Sequence, residues 1–248
     1  MKKMICLLLA LCLGIGAGLS EGMKVLSFSD SGLETETEGV RFENGVLTIL
    51  QPGEYMLSGE LTNGQIFVNS AEEGRVTLYL NGVKIHNETS SAILIRDCQP
   101  RAVISLVEGT ENTLSCGDDL VFTEEDEPNG VIFSDSDLTL EGNGSLNITA
   151  GAMDGIVSKD DLKIMGGTIT VEAPRHGIRG KDCVEIYDGA LNITAGRDGI
   201  KSTNKNDPER GYVAIRGGTV HITYGDEPVQ VITDCAIENA KVTFRVKD

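Results

Sequence analysis

Apolar residues two apart recur through most of this chain. Leu162/Ile164, Ile169/Val171, Val184/Ile186 and Leu191/Ile193 are the clearest pairs. A period of two predicts short strands with one buried and one wet face. Corners rich in Gly separate the runs at Gly166-Gly167, Asp188-Gly189 and Gly217-Gly218. Gly supplies the positive φ that a tight bend needs. A third apolar point follows each of three similar triplets, Asp154-Gly155-Ile156, His176-Gly177-Ile178 and Asp198-Gly199-Ile200. The triplets lie 22 residues apart, as do the segment starts Asp161 and Cys183. A fixed period of this size marks a stacked repeat architecture.

One repeat is then three short strands joined by turns. It cannot bury its apolar side alone, but repeats stacked in parallel can. The predicted fold is all-β: a right-handed parallel β-helix, or β-solenoid, with about 22 residues per coil. The hand is the general preference of parallel crossovers. The phase continues through Val213/Ile215 and Val220/Ile222 to Ile237, Val242 and Phe244, with the corner triplet replaced by Glu227-Pro228-Val229. The polar insertion Lys205–Arg210, with Pro208, predicts a loop bulging from a corner.

Three segments are expected. Residues 1–20 read as a signal peptide: Lys2 and Lys3, an apolar run too short to span a membrane comfortably, and small residues at Gly18 and Ser20. A lipid anchor on Cys12 is disfavoured by Leu11 and by the apolar run beyond it. Residues 21–75 read as a leader and capping strands, and 76–248 as the β-helix. The mature chain is thus expected outside a bacterial cell, secreted or on the cell surface. Loss of Lys2 and Lys3 takes the formal charge from -17 to -19. Such a charge argues against nucleic acid and anionic membrane as partners. Cys183 and Cys235 take corresponding coil positions but stand two strand spacings apart, about 9.6 Å, too far for a bridge. Cys98 and Cys116 are candidates for adjacent coils. The last coil has no evident cap, so its edge invites self-association.

Two constellations carry candidate chemistry. At the corners, Asp154 and Asp198 share a phase with His176 and Glu227, and Asp160, Asp161 and Asp182 form a second acidic row. Stacked carboxylates and turn carbonyls are the donors Ca2+ prefers. Asp before Gly is equally ordinary turn chemistry, and Lys159 and Lys181 offset the second row. On the strands, Asn147, Thr170, Asn192, His221 and Thr243 alternate with buried residues and predict one polar face. Such a face offers the donors and acceptors that a sugar polymer needs, although any wet sheet is polar. Tyr187 points outward by phase and is a candidate for stacking on a sugar ring. Catalysis has little support, since no nucleophile or base constellation stands out.

The segments LVEGTENTLSCGD, DGIVSKDDLKIMGGTITVEA, RHGIRGKDCVEI and AGRDGIKSTN resemble bacterial secreted carbohydrate-binding proteins of the polysaccharide-lyase-like β-helix family of cellulolytic clostridia. The resemblance spans Val76 to Val246. It implies a calcium-assisted, non-catalytic module that binds cellulose-like glucan or polygalacturonate. The alternatives are a pectate lyase and an adhesin-like surface solenoid. The chain departs from the family pattern at His176, Met153, Arg197 and Glu227-Pro228-Val229.

Overall fold

The computed structural model describes residues 22–118 and 128–247. The expected signal segment, and the acidic residues 124–127 read as a loop, lie outside the described residues. Among the described residues every regular element is a strand.

The strands form three columns, which the chain visits in a fixed order. The first column runs through Ala102–Leu106, Leu138–Gly142, Asp161–Ile164, Cys183–Ile186, Tyr212–Ile215 and Cys235–Ile237. The second runs through Glu111–Cys116, Ser145–Thr149, Thr168–Ala173, Ala190–Ala195, Thr219–Tyr224 and Lys241–Val246. The third runs from Val46–Ile49 through Gln65–Ser70, Ile93–Cys98, Gly130–Ser134, Asp154–Ser158, Ile178–Gly180 and Ile200–Ser202 to Val229–Gln230. Neighbours within each of these runs pair in parallel. The long strand Val76–Asn87 links the first two columns: Val76–Leu80 pairs with the first and Lys84–Asn87 with the second. One connected sheet therefore covers two sides of the molecule.

The register follows the sequence period. Ile156, Ile178 and Ile200 stand directly in line, and Val229 continues them. All three Ile are fully buried, each contributing about 1.5–3 kcal/mol by leaving water. The spacing is not uniform. It is 24 residues from Leu138 to Leu162, 22 from Leu162 to Val184 and 29 from Val184 to Val213. The last interval contains the insertion Lys205–Arg210, whose residues 205–209 lie exposed outside the columns.

Glycines act in two ways. Gly167, Gly189 and Gly218 have φ of +93°, +117° and +80°, as the turn reading requires. Gly155 and Gly177 do not; there the next rung lies too close for a side chain. A Cβ on Gly177 would meet the Gly199 carbonyl at 2.6 Å and collide with Ile193.

Parallel pairing begins earlier than Val76. Lys24–Ser29 pairs in parallel with Gly53–Leu61, and that strand with Val76–Asn87. The segment expected as leader and cap therefore already belongs to the columns. Two short strands, Gly32–Leu33 and Val40–Glu43, run antiparallel at this end. Cys98, Cys116, Cys183 and Cys235 are all free thiols, so Cys98 and Cys116 do not pair. Cys183 aligns with Tyr212, whereas Cys235 aligns with Val213, so the two cysteines are one position out of phase.

Candidate functional site

The expected polar face exists as a single ladder. Asn147, Thr170, Asn192, His221 and Thr243 are register partners on successive second-column strands. The ladder extends further than the pattern indicated: Thr113 precedes Asn147, and Lys84 and Glu60 precede Thr113. Inward partners such as Leu146, Ile169, Leu191 and Val220 anchor it. A second outward row runs beside it through His86, Ser115, Thr149, Glu172, Thr194 and Thr223. The result is a polar wall several rungs long, with rungs about 4.8 Å apart.

At its N-terminal end the wall opens into a groove of about 300 Å³, lined by Glu60, Thr62, Lys84, His86, Thr113 and Ser115. His86 is held at both nitrogens: Nδ1 lies 2.9 Å from Ser115 Oγ and Nε2 3.0 Å from Glu88 Oε2. None of these groove residues was singled out in the sequence. The alternation in Lys84-Ile85-His86 was the available signal, obscured because this strand belongs to two columns at once.

Tyr187 is not on this wall. It sits at the end of a first-column strand, 38% exposed, and donates to Glu185 Oε2 at 3.1 Å. The guanidinium of Arg216 lies over its ring at 5.9 Å.

The corner ladder also forms as expected, with Asp154 following Gly130 in register and backbone bonds linking Gly155 to His176, Gly177 to Asp198 and Gly199 to Glu227. Its chemistry differs. The Asp154 side chain is wholly buried, with Arg175 Nε 3.4 Å from Oδ1 and Arg179 Nε 3.2 Å from Oδ2. Asp198 Oδ2 is 3.0 Å from Lys201 Nζ and 3.1 Å from His176 Nδ1. Burial pushes the His176 pKa down, against the pull of Asp154 and with the help of Lys201. The shift favours the neutral imidazole, whose Nδ1 lies 3.3 Å from the Asp198 backbone nitrogen.

The second acidic row is balanced in the same manner. Arg210, carried by the insertion, reaches Asp161 at 2.6 Å and Asp182 at 3.6 Å, and Lys163 lies 3.4 Å from Asp161. Asp160 stays the strained member: burial raises its pKa, and Asp137 and Asp182 add to the effect.

Calcium needs about six to eight oxygen ligands. At the corner, Arg175 and Arg179 already pair with Asp154, and Lys201 with Asp198. Among the described residues no three His, Cys, Asp or Glu side chains converge on one point. Asp154, Asp160, Asp161, Asp182 and Asp198, as they are placed, do not fit a calcium cage. Buried Asp154 Oδ2 and Asp198 Oδ1 make no hydrogen bond, but both belong to carboxylates already at ion-pair distance from the protein's own cations.

A family model described as carbohydrate-binding domain-containing protein matches residues 43–248. A protein of that description from Acetivibrio thermocellus is 39% identical over 244 residues, covering 95% of this chain and 85% of the relative. A solved structure, a gadolinium derivative of the polysaccharide lyase-like protein from C. thermocellum, matches with a TM-score of 0.86 at 36% identity, covering 90% of each chain. The parallel columns and the polar wall thus belong to a member of the carbohydrate-binding domain-containing protein family.

Proposed function

We propose that this chain is a secreted or cell-surface, non-catalytic protein that binds plant cell-wall polysaccharide along its second-column wall. Its three columns are read as a right-handed parallel β-helix with coils of about 22 residues, a rod that presents repeating groups to a repeating polymer. The observation that carries the proposal is the unbroken ladder from Glu60 to Thr243. From Thr113 to Thr243 every rung carries a hydroxyl, amide or imidazole group, and Lys84 and Glu60 precede them, each able to exchange hydrogen bonds with sugar hydroxyls. The groove at His86 suits a chain end or a branch.

Charge orders the substrates. A chain of formal charge -17 repels polygalacturonate, so a pectic acid would need added calcium as a bridge between two anions. A neutral, cellulose-like glucan would not. Retention on cellulose is therefore expected to be indifferent to chelator and nearly indifferent to salt. The double variant Asn192→Ala/His221→Ala is expected to weaken it about tenfold, with the melting temperature unchanged. Retention undiminished in that variant would remove the wall from the mechanism. For the lyase alternative, the test is unsaturated product from polygalacturonate, read by absorbance across pH and calcium.

Among the described residues the strand Lys241–Val246 pairs on one side only, with Phe244 and Val246 exposed. Self-association through it belongs to the same proposal and is read by sedimentation at rising concentration.

A further inference from the structure

We infer that a cleft on the first column, separate from the wall, is a subsite for one neutral sugar unit. The inference rests on the reading that the protein binds glycans. The outward side of the first column is a lattice of three rows. One row is Asp161, Cys183, Tyr212. The next is Thr139, Lys163, Glu185, Ala214, Ala236. The third, at the strand ends, holds Met165, Tyr187, Arg216 and Glu238, linked by backbone bonds from each residue to the rung before. The middle row changes size abruptly. Lys163 and Glu185 fill it on two rungs; Ala214 and Ala236 leave it empty on the next two. The gap lies beside a cleft of about 270 Å³ lined by both alanines, with Ala214 buried at its base and Ala236 partly exposed. Tyr212 and Arg216 bound it on the sheet, and Pro208 and Glu209 of the insertion wall it from outside, with Asp234 at the rim.

The walls are set in place before any ligand arrives. Glu185 is buried and accepts from Tyr212 Oη at 3.4 Å and Tyr187 Oη at 3.1 Å. It also takes Arg216 Nη2 at 3.3 Å. Arg216 is further held by Glu238 at 3.6 Å. One buried carboxylate thus fixes two tyrosines and an arginine, which lowers the ordering cost of binding. The donor Arg216 and the acceptors Tyr212 Oη, Glu209 and Asp234 around a small-residue floor suit a ring bearing hydroxyls. Tyr187 and Met165, 38% and 45% exposed, extend the apolar rim on the preceding rungs. Glu209, Asp234, Glu185 and Glu238 outnumber Arg216 and Lys163, so a uronate is repelled and a neutral sugar is not.

The test is a methyl NMR titration of the full chain, labelled at alanine, with cellohexaose, xylohexaose and galacturonate oligomers in chelator. Ala214 and Ala236 resonances are expected to shift with one of the neutral oligomers and not with galacturonate. Ala236→Leu, which fills the floor, should weaken that shift at Ala214 at least tenfold while leaving retention on cellulose intact. Tyr212→Phe, which removes only a hydroxyl, should weaken it about threefold. Silent alanine resonances at saturating neutral oligomer, or a larger shift with galacturonate, would overturn the inference. Silent resonances with cellulose still retained would refute the cleft alone. Loss of retention in the wall variant, with the alanine shifts preserved, would mark the two surfaces as independent sites.

Discussion

Arg179→Met tests the claim that the corner carboxylates are balanced by the protein and not by a metal. Asp154 is completely buried, and three groups hold it: Arg179 at 3.2 Å, Arg175 at 3.4 Å and the His176 backbone N–H at 3.1 Å. Removing one partner of a buried pair leaves an uncompensated charge, at a cost of about 3–5 kcal/mol. Arg175 remains, so the lower end applies, about 3 kcal/mol. In a chain of this length each kcal/mol moves the melting temperature by about 2–4 °C. The expected fall is about 6–12 °C by circular dichroism or calorimetry. Adding Asp154→Asn to the variant removes the orphaned charge and should recover more than half of the loss. Calcium supplies the second arm. An ion that bound the native state at about a hundred times its dissociation constant would add about 2.7 kcal/mol. The wild-type melting temperature should instead be the same in millimolar calcium and in chelator. A loss below about 1 kcal/mol in Arg179→Met, or a calcium-dependent rise of several degrees in the wild type, would refute the reasoning.

Three further outcomes follow from the same network and core. The raised pKa of Asp160 means that the native state binds more protons than the unfolded chain just above the ordinary carboxylate range, so stability falls as pH rises through that window. Asp160→Asn should therefore melt higher than wild type at neutral pH, with the advantage vanishing in acid; an equal or lower neutral melting temperature would contradict this. For His176 the sign is opposite, since its lowered pKa makes the unfolded chain the better proton acceptor below the ordinary histidine range. Wild type should lose stability as pH falls through about 6.5 and below, and His176→Gln should flatten that limb; identical slopes in both proteins would count against a neutral buried imidazole. Ile178→Ala, in the aligned stack with Ile156 and Ile200, should cost about 2–5 kcal/mol in urea unfolding. A cost near zero would mean that the stack is not packed.

Much of this molecule was legible because parallel stacking repeats one local rule. Ile156, Ile178 and Ile200 had to align once their spacing was constant and their neighbours alternated. The same rule placed Asn147, Thr170, Asn192 and His221 on one wall, since register and alternation are both local. Positive φ at Gly167, Gly189 and Gly218 was readable for the same reason. What the sequence could not carry was contact between residues whose separation is no multiple of the period. Arg179 reaches back across a rung to Asp154, and Arg210 reaches across two, from a loop with no counterpart in the other coils, to Asp161. Those two contacts pair Asp154 and Asp161, one from each acidic row, with the protein's own arginines. Tyr187 pointed outward as its phase required, but the side of the rod it occupies, and the arginine over its ring, depend on where the chain turns its corner. The groove at His86 arises because one long strand serves two columns, a choice made by packing at the end of the rod. Periodicity fixes which residues stack; the side chains that bridge stacks are chosen by distance in space, which the period does not encode.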